Sequence, residues 1–275
     1  MMIKILLVLM ATLCAQLNAV AATVKADALV ATTDGEGLLP KPPGMSRVES
    51  QALYEQGIAQ CDAGCVTPFG AIMGTVDGVD ALSNCQSSCI RPEYSFMHLQ
   101  TKAVSVHAND PRDPEQHYVG LIYQCVEYAR RWWMSSLGIT FGSIDSAYEI
   151  MYLTEGKRIH TGAPLALARS VNGTAKKAPK RGDLLIYNPM PENPHWRYGH
   201  VAVVVGVDHE RGLVSLAEQN YSNQPWQQPD SFSRQIKMFK IGGRYQLVDL
   251  GEGEHQNSAG GLISGWVYPA VPPLN

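Results

Sequence analysis

Between residues 124 and 137 the chain places apolar side chains at Val126, Ala129, Trp133 and Leu137. That is the 3.6-residue spacing of an amphipathic helix, with Glu127, Arg130 and Arg131 on its other faces and Gly138 as its stop. A second helix is expected to begin at Ser146, whose spacing to Glu149 fits a capping box. Beyond it the period changes. Apolar runs at 184–187, 201–205 and 213–216 are separated by Gly, Pro and Asp, which marks them as strands. Further strand patterns follow at 235–241, 245–250 and 263–268. Helices first and hairpin-linked strands afterwards predict an α+β fold, with N-terminal helices packed on one side of an antiparallel β-sheet.

The first residues have a different texture. Lys4 precedes an apolar run from Ile5 to Leu13, and Ala19-Val20-Ala21-Ala22 supplies a small-residue cleavage site. The run is too short to span a bilayer, so residues 1–22 read as a signal peptide. Cys14 follows the bulky Leu13, which argues against a lipid anchor there. Residues 23–45 read as a linker ending in a Pro-rich stretch, Leu39-Pro40-Lys41-Pro42-Pro43-Gly44. Residues 46–67 form a cysteine-containing N-terminal extension with a short helical pattern, and 68–270 the main domain. A secreted or periplasmic protein is expected, with no membrane contact after the leader is removed.

Composition narrows the partners. The net charge of −3 offers no electrostatic footprint for nucleic acid. Without the leader, five of the six cysteines are left. Cys61, Cys65, Cys85 and Cys89 form two Cys-x-x-x-Cys pairs, and in an oxidising compartment four clustered cysteines suggest two disulfides. A nested pairing, Cys61–Cys89 and Cys65–Cys85, would staple two short helical segments, although three connectivities are open. The rival, a four-thiolate zinc site, favours two-residue spacings and a reducing compartment. The fifth cysteine, Cys125, is the odd thiol.

Cys125 stands at the start of the helix over 124–137. A thiol there faces unpaired backbone N–H groups and the positive end of the dipole, which favour the thiolate. The same N–H groups can hold an oxyanion, and the Gln124 amide can add a donor. Gly199-His200 opens one apolar strand, and the strand from Leu213 runs out into Glu218-Gln219-Asn220. The tight connection 208–212 makes these strands antiparallel neighbours and sets His200 beside Glu218. Cysteine, histidine and carboxylate are then nucleophile, base and orienting group. His98, His117, His160 and His195 are read as surface or core residues.

Tyr123-Gln124-Cys125-Val126-Glu127-Tyr128-Ala129-Arg130-Arg131-Trp132 resembles the nucleophile motif of CHAP domains, the cysteine- and histidine-dependent amidohydrolases of the papain-like superfamily. Arg181-Gly182-Asp183-Leu184-Leu185-Ile186, Tyr198-Gly199-His200-Val201-Ala202-Val203 and Leu216-Ala217-Glu218-Gln219-Asn220 follow in the family's order. Within the family the chain looks most like the amidase half of the bifunctional glutathionylspermidine synthetase/amidases, over roughly residues 68–268. The resemblance implies a papain-like fold, Cys125 as nucleophile, His200 as base and then acid, and Glu218 as orienter. It also implies Gln124 in the oxyanion hole, Arg130 and Asn220 as substrate-binding residues, and no metal or organic cofactor. The leader, linker and cysteine cluster are foreign to those cytoplasmic enzymes. Three functions follow as expectations: an amidase acting on glutathionylspermidine-like peptide amides, a peptidoglycan amidase or endopeptidase, and a catalytically silent binding protein.

Overall fold

The computed structural model of the chain describes residues 29–31, 38–40, 47–61, 64–109, 111–190, 192–193, 196–251 and 262–270. The leader assignment at 1–22 and His195 lie outside these residues. Strands β1 (Leu29–Ala31) and β2 (Leu38–Pro40) pair antiparallel within the stretch read as linker. Helix α1 (Arg47–Gln60) follows, and then five short strands: β3 (Ile72–Val76), β4 (Val79–Leu82), β5 (Tyr94–His98), β6 (Val104–His107) and β7 (Gln116–Leu121). β3 and β4 form a hairpin; β6, β5 and β7 form a three-stranded antiparallel sheet.

Helix α2 (Cys125–Leu137) ends at Gly138, which turns into the left-handed region at φ 63° and donates its N–H to the Trp133 carbonyl. Strands β8 (Ile139–Phe141), β9 (Glu155–Arg158), β10 (Pro164–Val171), β11 (Leu184–Tyr187), β12 (His200–Asp208), β13 (Leu213–Ala217), β14 (Arg234–Ile241), β15 (Arg244–Val248) and β16 (Ile263–Pro269) build one sheet. Its order is β15-β14-β13-β12-β11-β16-β10-β9-β8, with every pair antiparallel. The expected meander runs from β11 to β15. The last strand then returns to lie between β11 and β10.

The central strands are buried on both faces. Val201, Val203, Leu184 and Ile186 share one core with Tyr128, Ala129, Trp132 and Trp133 of α2. Ala202, Val204, Leu185 and Leu216 share another with Trp196, Tyr221 and Trp266. Burial on both faces explains why 201–205 is a continuous apolar run without alternation.

The helical expectation is corrected in three places. The element after Ser146 is a 3₁₀ helix, Ala147–Tyr152, although the Glu149 carboxylate does accept the Asp145 and Ser146 N–H groups at 2.9 and 3.2 Å. Of the two segments joined by the cysteines, only α1 is helical; 85–89 is a turn. Finally, Glu127, Arg130 and Arg131 are all buried in α2. The helix lies between the sheet and the β3–β4 hairpin, so its polar faces meet protein where the periodicity suggested solvent.

Candidate active site

The first turn of α2 presents Cys125. Gln124 is the N-cap, extended at φ −78° and ψ 159°, and makes no side-chain capping bond. The first helical bond runs from the Tyr128 N–H to the Gln124 carbonyl at 3.2 Å. The N–H groups ahead of it are the donors that a helix start leaves for a ligand. Cys125 is a free, buried thiol there.

His200 opens β12 directly after Gly199, whose φ of +67° turns the backbone into the strand. Glu218 stands just past the end of β13. The register pairs Val203 with Ala217, so Glu218 falls diagonal to His200 on the same face. His200 Nε2 lies 2.8 Å from Glu218 Oε2. Cys125 lines the same cleft and lies close enough to the imidazole for its side chain to raise the His200 pKa. With Nε2 engaged by the carboxylate, Nδ1 is the nitrogen left for the thiol. The imidazole is packed among Tyr187, Trp196 and Tyr221 at ring distances of 5.6, 6.0 and 5.6 Å.

Burial by itself would lower the His200 pKa. The hydrogen bonds and negative charges of Cys125 and Glu218 outweigh it and raise the group from 6.5 to about 9. Burial likewise pushes Glu218 up, but the Arg234 guanidinium and the His200 bond bring it down to about 2. Glu218 is therefore held as a carboxylate beside a ring biased toward its protonated form.

Arg234, which the sequence reading missed, holds this carboxylate. Its Nε donates to Glu218 Oε1 at 2.6 Å and its Nη1 to Asp249 Oδ2 at 2.6 Å. Tyr187 Oη donates to the same Asp249 oxygen at 2.8 Å, and the guanidinium stacks 4.0 Å from the Tyr221 ring centre. The Ser233 hydroxyl adds a bond to Glu218 Oε1 at 3.0 Å. A signal was present in the sequence. In the alternation Arg234, Ile236, Met238 the inward set begins with a charge, and a charge on a buried face needs partners.

The thiol and imidazole line a cleft of about 400 Å³ together with Gln124 and Asn220. Its far wall comes from Gln56, Gly57 and Gln60 of α1 and from 86–88 and Ile90. The extension is thus part of the site. Disulfides Cys61–Cys89 and Cys65–Cys85, the nested pairing, tie the end of α1 to that loop. Gln124 Nε2 donates to the Cys89 carbonyl at 2.9 Å, and Gln124 Oε1 accepts from Asn220 Nδ2 at 2.7 Å. Asn84, also missed, donates to Asn220 Oδ1 at 3.0 Å and to the Cys89 carbonyl at 2.7 Å, closing a ring of amides. One Gln124 N–H is left beside Cys125. Asn220 adopts φ +57°, a left-handed turn that asparagine tolerates.

Arg130 is not brought to the cleft. It is buried, donates to the Val119 and Gly142 carbonyls, and lies 4.4 Å from the Phe141 ring centre. Its length and five donors suit it to tying β7 and the loop after β8 to α2. Arg131 is equally internal, bidentate to Glu127 at 2.7 and 3.1 Å, with Gln219 bridging to both. Of the other histidines, His98 pairs with Glu115 at 2.7 Å on the far sheet; His117 lies in β7, and His160 is exposed in a turn.

A buried Cys-His-Glu constellation at a helix start, backed by an antiparallel sheet, is the arrangement of a cysteine hydrolase. Residues 116–220 match the CHAP domain model, so the chain contains a CHAP domain over that span. It is 30% identical over 182 residues to the bifunctional glutathionylspermidine synthetase/amidase of Escherichia coli (strain K12), covering 66% of this chain and 27% of that protein. It is 29% identical over 212 residues to the glutathionylspermidine synthase of Crithidia fasciculata, covering 76% and 27%. With the trypanothione synthetase of the same organism the identity is 27% over 183 residues, covering 66% and 24%. The chain spans about a quarter of the length of these curated relatives.

Proposed function

We propose that the chain is an exported amide hydrolase working through an acyl-enzyme, with residues 68–270 as the catalytic domain and 46–67 as a wall of its cleft. The observation that carries this reading is His200, bonded to Glu218 and lining one cleft with Cys125 at the N-terminus of α2. Cys125 Sγ attacks the amide carbonyl, and the electron pair moves onto the carbonyl oxygen. The helix-start N–H groups and the open Gln124 N–H stabilise that oxyanion. The imidazolium of His200 gives its proton to the amine nitrogen as the C–N bond breaks, leaving a thioester on Cys125. Water enters, His200 takes its proton, and the acid is released with the thiol regenerated. Glu218 holds the ring in place, and Asn220 fixes the Gln124 amide.

The named relatives support a glutathionylspermidine-like peptide amide as substrate. The two disulfides are compatible with an oxidising compartment, which favours a second reading: a peptidoglycan amidase or endopeptidase. Among the described residues no helix is long and apolar enough to cross a membrane. The test is a parallel assay of the Cys125 protein and Cys125→Ala on glutathionylspermidine and on purified peptidoglycan. Cys125-dependent release of spermidine supports the first substrate, and cleavage of peptidoglycan alone selects the second. No turnover of either, with Cys125 inert to iodoacetamide, overturns the hydrolase reading in favour of a silent binding protein.

A further inference from the structure

The cleft wall carries a charge that the acyl-enzyme chemistry does not use. Arg197 lies three residues before His200 and lines the same cleft. Besides His200 it is the one charged residue among the described lining residues, and none of them is a carboxylate. The guanidinium is half-buried and aimed. Its Nη1 donates to Gln56 Oε1 of α1 at 2.7 Å, while its Nε is closed off from water with no acceptor among the described residues. Of its five donors, one is occupied among the described residues. A cation held in a concave wall, partly desolvated and with donors to spare, is set up for a planar anion. The remaining wall is amide-rich: Gln60, Gln86, Gln124 and Asn220 can bond a peptide backbone but give a polyamine no counter-charge.

We propose that Arg197, positioned by Gln56, is a specificity-determining residue that binds a free carboxylate on the acyl half of the substrate. This rests on the hydrolase reading and deepens it: the substrate class is a peptide amide with an anionic acyl portion, and selectivity lies on that side of the scissile bond. The amine that leaves is selected weakly. The extension then contributes to recognition as well as enclosure, because α1 supplies the residue that aims Arg197.

Two matched γ-glutamyl peptide amides serve as probes, one with its α-carboxylate and one with a carboxamide in its place. Calorimetry on the Cys125→Ala protein measures binding without consuming either. The carboxylate form is expected to bind roughly 10–100-fold tighter, the scale of a charge-assisted bidentate contact. Arg197→Gln in that background should bring the ratio close to one, and Arg197→Lys should retain part of it. Equal binding of the two probes, binding of neither, or a ratio unmoved by Arg197→Gln overturns the assignment. Discrimination that depends on Arg197 with no turnover by the Cys125 protein would keep the anion site and remove the hydrolase reading, so the two failures are distinct.

Discussion

Replacing Arg234 with Met isolates the contribution of a cation that does not line the catalytic cleft. Arg234, Glu218 and Asp249 have side chains no more than 3% exposed, and the guanidinium reaches both carboxylates at 2.6 Å. Met fills much of the volume and removes the charge, stranding two carboxylates in one dry pocket. Breaking a buried pair in this way costs about 3–5 kcal/mol. Glu218 gives a second measure. Against the upward push of burial, Arg234 and His200 hold it at about 2 where 4.5 is usual, and at 1.36 kcal/mol per pKa unit that is roughly 3 kcal/mol at pH 7. Urea unfolding at pH 7 should therefore show a loss of about 3 kcal/mol at constant m-value. The pH profile of kcat/KM supplies a readout that lost packing alone would not move. In the variant the Glu218 and Asp249 charges are no longer neutralised near the ring and hold the imidazolium more firmly, so the alkaline limb near pH 9 should move up. Arg234→Met combined with Asp249→Asn removes one stranded charge and should recover part of the stability. A single variant within about 1 kcal/mol of the parent, with an unmoved alkaline limb, would refute the argument.

Stability should also depend on pH with a defined sign. His200, raised from 6.5 to about 9, contributes stability that is complete below pH 6.5 and lost as pH rises through 9. Glu218, lowered from 4.5 to about 2, contributes stability present above pH 4.5 and lost as pH falls through 2. Urea midpoints should peak between about pH 4.5 and 6.5, and a His200→Gln protein should lose the alkaline decline; a flat profile in the parent counts against the coupling. Replacing both Cys61 and Cys89 with Ser opens a closure spanning 28 residues, worth about 3.5 kcal/mol in the chain-entropy model. Because Cys89 also anchors Gln124, kcat/KM should fall under conditions where the variant is still folded by circular dichroism; full activity would show that the α1 wall is dispensable. Gly199→Ala should be severe. A Cβ there would sit 2.5 Å from the Tyr187 carbonyl oxygen at φ +67°, so the strand start must shift and carry His200 with it. Unchanged activity in that variant would mean the ring position is not set by this turn.

Local pattern carried much of the architecture. The helix over 124–137 and the strands from 184 to 250 were legible because apolar spacing and Gly or Pro punctuation are short-range signals, and a tight hairpin fixes its own pairing. The same arithmetic put His200 and Glu218 at the same end of adjacent strands, but carried on without a bulge it sets Glu218 opposite Val203, on the other face from His200. A register slip at the bulge between Val204 and Gly206 was not legible. Nor was the return of β16 to a place between β11 and β10, which is a long-range choice among strand partners.

Polar residues were misplaced where burial decides their role. Glu127, Arg130 and Arg131 look like a solvated helix face, yet the β3–β4 hairpin covers Glu127 and Arg131 while β7 and the loop after β8 cover Arg130, turning all three into internal ties. Arg130, a substrate-binding candidate by resemblance, points instead at backbone carbonyls away from the cleft. Arg234, Asp249 and Asn84 lie 16, 31 and 41 residues from their nearest site partner among Glu218 and Cys125, and no spacing rule joins them. By itself the sequence determined which groups have the chemistry: one unpaired cysteine at a helix start, and a histidine and a carboxylate on adjacent strands. Tertiary structure alone decided which charges neutralise one another out of water and which stay open to a ligand, because desolvation and pairing depend on what packs above a residue, and the chain's own periodicity is silent about that.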